Sequence, residues 1–120
     1  MGKGFTLDNG QGARLDVKAV HFIPPSRCRC PGANCAVVIG DVAAGTFMAG
    51  DKIALKDKSG KELLEDSIAR LEIGCKQHFE VPSGSHVGVL LMEHAPGELL
   101  GLGIPRHQTH IPPTAHPYRM

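Results

Sequence analysis

Between Cys35 and Leu55 the chain runs CAVVIGDVAAGTFMAGDKIAL, and this stretch restricts the fold more than any other. Val37, Val38 and Ile39 are β-branched and favour an extended backbone. Gly40 interrupts them, which predicts a bulge or a close backbone approach. Gly45 and Gly50 bracket Phe47 and Met48 and predict a wide turn. In Asp51 to Leu55 polar and apolar residues alternate, so Ile53 and Leu55 share one buried strand face. Lys58-Ser59-Gly60-Lys61 then reverses the chain into a hairpin. An echo follows at Val81 to Leu91, VPSGSHVGVLL. Short extended segments punctuated by glycine predict an all-β fold, a small closed antiparallel β-barrel of six to seven strands.

Composition agrees. A chain of 120 residues makes one domain, and fifteen Gly and nine Pro favour a turn-rich β structure. The net charge of +1 argues against a general phosphate-binding surface and leaves room only for a local patch. No run reaches the ~18 apolar residues of a membrane span, and no apolar signal segment follows Met1. A cytoplasmic protein without membrane contact is the expectation. The start MGKGFT formally fits a myristoylation pattern, but an ordinary flexible start explains it as well.

Residues 1–12 are glycine-rich and polar and read as a flexible arm. From Leu15 to Ile23, the residues Leu15, Val17, Ala19, His21 and Ile23 fall on one strand face, with Asp16, Lys18, Val20 and Phe22 on the other. Residues 61–66 have helix-like composition and read as a short helix or as a strand from Lys61 to Leu64, and Ser67 to Ile73 reads as a second strand. In the second strand Ala69, Leu71 and Ile73 share a face, opposite Ile68, Arg70 and Glu72. Residues 74–78 read as a turn or irregular crossing, and Pro82-Ser83-Gly84 as a turn. Val87 to Met92 reads as a strand buried on both faces, and Glu98 to Ile104 as a last strand. The barrel domain therefore spans 13–104, and 105–120 forms a Pro/His-rich tail, where His107 and His110 are solvated or metal-binding side chains.

The run VVIGDVAAGTFMAGDKIAL followed by ARLEIGCKQHFEVPSGSHVGVLL resembles the second domain of translational GTPases such as elongation factor Tu. The turn Gly45 to Gly50, the strand Gly50-Asp51-Lys52-Ile53 and the segment Ser83 to Leu91 match that domain in order and spacing. Leu15 to Ile23 resembles the strand that opens it, so the likeness covers residues 13 to 104. The resemblance implies a translation-factor type barrel, here standing without its GTPase, and it favours strands over the short helix at 61–66. No G-x-x-x-x-G-K-[ST] phosphate loop is present, so GTP binding is not expected. In the family this region helps to hold the aminoacylated end of tRNA. Glu72 matches the family's Glu, but Gly74 replaces its aromatic and His86 replaces its Asn, so that activity does not carry over.

The main departure from the family is Pro24 to Cys35, PPSRCRCPGANC, a cysteine-rich loop over 24–35. Cys28, Cys30 and Cys35 are spaced C-x-C-x4-C on a Pro/Gly turn, where thiolates can converge on one metal. His21, Cys75 or His78 would supply a fourth donor, and zinc or iron would be the metal. A redox-sensitive thiol cluster is a second reading, and a loop of plain cysteines a third. Arg27 and Arg29 would favour thiolates or contact phosphate.

No G-x-S-x-G or H-E-x-x-H is present, and no His-plus-carboxylate pattern flanks a cysteine, so no catalytic residues are assigned. The expected function is a non-catalytic binding module that docks on an RNA, a ribonucleoprotein or a protein, with Arg27, Arg29, Glu72 and His86 as partner-binding candidates. The alternatives are a small metal-binding protein and a thiol redox factor.

Overall fold

The structure, a computed structural model, describes residues 4–22, 36–74 and 76–106. They form β1 (Thr6–Asp8), β2 (Arg14–Phe22), β3 (Ala36–Ala44), β4 (Thr46–Met48), β5 (Lys52–Lys56), β6 (Glu62–Ile73), β7 (Lys76–His78), β8 (Glu80–Pro82), β9 (His86–Leu91) and α1 (Pro96–Gly101). The main sheet runs β5-β1-β2-β3-β9-β6-β7, and β6 also pairs with β5. That last pairing closes six antiparallel strands into a barrel and leaves β7 as an extra strand on β6. Closure removes the open edges that a flat sheet would expose. The expected all-β small barrel is therefore the observed fold.

The core is filled by inward residues of every barrel strand, among them Leu7, Leu15, Val38, Leu55, Leu71 and Val89, each at most 1% exposed. Phe47 and Val81 enter it from β4 and β8, which pair as a separate two-stranded sheet. The stretch from Gly45 to Gly50 is thus a turn around a short strand rather than a turn alone. At Gly40 the expected close approach is present. A Cβ there would overlap the Asp16 carbonyl oxygen and lie 2.7 Å from Leu15 Cδ2.

Simple alternation fails at two places, for one physical reason. On β2 the register shifts between Val17 and Ala19. Leu15 points inward before the shift and Val20 after it, so odd and even residues exchange faces. On β6 the shift lies between Ile68 and Arg70, and Ile68 and Leu71 are both in the core. The expected single-face sets, Leu15 to Ile23 and Ala69 to Ile73, are corrected accordingly. A bulge adds a residue and increases twist, which a sheet of few strands needs in order to close.

Residues 4–12 are part of the barrel, not a flexible arm. β1 lies between β2 and β5, with Phe5 and Leu7 buried. The polar residues that suggested looseness make the turn after it. Asp8 Oδ1 accepts the Gly10 N–H at 2.6 Å, and Asn9 Oδ1 accepts those of Gln11 at 2.8 Å and Ala13 at 3.0 Å. The helical rival over 61–66 gives way to one continuous strand, because Glu62 to Ser67 pairs along β5. Gly74 (φ 58°) turns the chain back onto β6, so residues 76–78 are a strand instead of an irregular crossing.

Residues 98–104 form helix and turn, not a strand. Pro96 sits in the first turn, and Glu98 Oε2 accepts the Ala95 N–H at 3.1 Å, the glutamate half of a capping box. Leu99 and Ile104 then fill the core, at 0% and 2% exposed. Glu98→Ala should lower folding stability by about 0.5–1 kcal/mol, read as a lower urea midpoint at unchanged slope. Beyond the helix, Val20 donates to the Pro105 carbonyl at 2.9 Å and bridges to Arg106. The wall thus extends past the expected boundary at 104. Among the described residues no helix is long and apolar enough to cross a membrane.

Candidate binding face

On β3, Ala36, Val38 and Val42 belong to the core, so Val37, Ile39 and Asp41 take the outer face by alternation. On β9 the inward set is Val87, Val89 and Leu91, with His86, Gly88 and Leu90 on the opposite face, where Leu90 is itself covered at 1% exposed, so the end of this strand is buried on both faces as expected. On β6 Leu71 points in, and Arg70 and Glu72 point out. Register then assembles three outer rows. His21, Val37, Leu90 and Arg70 form the first, and Ala19, Ile39, Gly88 and Glu72 the second. Asp16, Asp41 and His86 form the third.

Of the apolar middle of this face, Ala19, Val37 and Leu90 are buried and Ile39 and Gly88 half-buried, and ion pairs surround it. Asp41 Oδ1 lies 2.7 Å from His86 Nδ1, and Asp41 Oδ2 lies 3.9 Å from Lys18 Nζ. Arg14 Nε lies 3.6 Å from Asp16 Oδ1. Arg70 Nε lies 3.0 Å from Glu72 Oε2. That contact is electrostatic rather than an aligned hydrogen bond, since the buried Nε has no hydrogen-bond partner. Arg14, Lys18, Arg70 and His86 thus each lie beside a carboxylate. The exposed pairs, those of Asp16 and Asp41, add little stability, about 0–1 kcal/mol each, but they set the charge pattern that a partner meets.

Of the residues singled out in the sequence, Glu72 and His86 are brought onto this one face, on adjacent strands. His21 lies at its margin on β2, opposite Val37. His78 lies on β7, opposite Leu71, and β2 and β7 share no pairing. Arg27, Arg29, Cys28, Cys30, Cys35 and Cys75 lie outside the described residues, as do His107 and His110. Among the described residues no group of three or more His, Cys, Asp or Glu side chains is placed to hold a metal ion.

A polar centre that sequence reading passed over is Asp66. Its side chain is 0% exposed. It accepts backbone N–H bonds from Ser67 (2.6 Å), Met92 (3.1 Å), Glu93 (2.9 Å) and His94 (2.9 Å). The His94 ring adds Nδ1 at 2.7 Å, and its Nε2 lies 3.8 Å from Glu98 Oε1. A carboxylate can only accept, so His94 donates from Nδ1 and its orientation is fixed. The result is a tie between the middle of β6 and the loop that carries α1. The available signal was an aspartate inside the strand sequence ELLEDSIARLEI, where a charge has no place unless donors surround it.

A groove of ≈ 470 Å³ lies between β1, β5 and β6. In it, hydrogen bonding with Glu65 pushes the Glu62 carboxyl above the usual carboxylate range. A raised carboxyl favours the folded state most at low pH, and that advantage is lost as pH rises through the folded value. Glu62→Gln should therefore raise the thermal midpoint slightly at pH 7 and leave it unchanged below about pH 4. At the β5–β6 turn the sign reverses. The Ser59 hydroxyl and then the Lys61 N–H hold Asp57 below its usual value, a contribution lost as pH falls through that lowered value.

Comparison with known proteins leaves the face to be interpreted on its own geometry: no protein-family model and no curated protein matches the chain.

Proposed function

We propose that this protein is a cytoplasmic binding module of the translation-factor second-domain type, docking on a protein or ribonucleoprotein partner through the outer face of β3, β9 and β6. The observation that carries the reading is the convergence of Glu72 and His86 beside the Ile39–Gly88 row. Ile39 and Gly88 are the half-buried apolar part of this face, and an apolar centre inside a polar rim is how protein-recognition surfaces are built. The charge pattern favours protein contact over bare RNA. Arg14, Lys18 and Arg70 each have a carboxylate partner, so among the described residues of this face few cations are free to displace counterions from phosphate.

Affinity capture from the native cell, with and without nuclease, tests this. The expected result is a nuclease-resistant partner whose binding changes little between low and moderate salt. The double variant Glu72→Ala, His86→Ala should weaken capture roughly tenfold or more while retaining the wild-type unfolding midpoint. Loss of the partner on nuclease treatment would instead favour RNA. Unchanged capture by the double variant would remove the face from the account.

One observation favours metal binding as a second reading. Phe22 pairs with Ala36, the described residues that flank 23–35, where Cys28, Cys30 and Cys35 lie at a spacing suited to a single metal ion. Metal analysis of protein purified without chelator decides it: about one zinc per chain is expected, and protein free of zinc and iron contradicts it.

A further inference from the structure

We draw no further inference here: the strongest candidate, the groove between β1, β5 and β6, is lined by an acidic cluster including Glu62, Glu65 and Glu93 with Lys52 and Lys56 among them, and nothing else in the structure points to a ligand there.

Discussion

Replacing Asp66 by alanine is expected to cost about 3–5 kcal/mol of folding stability, read as a large fall in urea midpoint. The substitution removes the carboxylate acceptor of the Glu93 and His94 N–H groups, leaves the Met92 N–H with the Ser67 carbonyl alone, and takes away the partner of the His94 Nδ1. Each buried donor left unpaired costs about 1–3 kcal/mol. The loop that carries α1 would loosen first, and with it Leu99, which closes part of the core. Asp66→Asn is the sharper variant. An amide keeps one acceptor oxygen but turns an N–H₂ toward donors, so the expected loss is intermediate, about 2 kcal/mol. Equal stability of Asp66→Asn and wild type would show that the anion is not what holds the loop.

Gly40→Val is expected to be at least as disruptive as a large core truncation, about 3 kcal/mol or more. The new side chain would overlap the Asp16 carbonyl oxygen and press on Leu15 Cδ2. Backbone cannot rotate away as a side-chain tip can, so β2 and β3 must separate locally. These are the strands with the most extensive mutual contact in the barrel. Gly88→Ala is the milder companion. Its Cβ would press only on Val37 Cγ1, at 3.0 Å, a side chain that can shift, and would lie at ordinary contact distance, 3.9 Å, from the Glu72 carbonyl oxygen. An unfolding midpoint for Gly40→Val close to that of Gly88→Ala would contradict the packing described.

The barrel was legible where pattern and burial coincide. Ile53 and Leu55 on β5, and Val87, Val89 and Leu91 on β9, alternate in sequence and line the core in space. Gly40 announced its close approach because a glycine within a β-branched run has few other reasons to be there. The face exchanges at Val17/Ala19 and Ile68/Arg70 were not legible, because a bulge has no fixed residue signature and serves the closure of the whole barrel. Residues 98–104 misled because glycines 101 and 103 resemble barrel bends. The cap formed by Glu98 and the burial of Leu99 outweighed that pattern. The first residues misled in the opposite sense. Polar and glycine-rich composition there belongs to the turn after β1, while Phe5 and Leu7 do the packing.

For the candidate face, sequence reading named Glu72 and His86 but not their neighbours. Ile39, Asp41 and Gly88 join them only through register, which is a tertiary property. Asp66 was missed because its donors come from residues 92–94, far along the chain. A lone aspartate on a strand signals a buried tie only when the partner loop is known.

The most direct test of the account is site-specific photocrosslinking in the native cell. A photoreactive amino acid is placed at Ile39, in the middle of the face, and in parallel at Ser59, in the exposed β5–β6 turn. The account predicts a discrete protein adduct from Ile39, resistant to nuclease and lost in the Glu72→Ala, His86→Ala background, with none from Ser59. Adducts from Ser59 alone, or the same adducts from both positions, would contradict it.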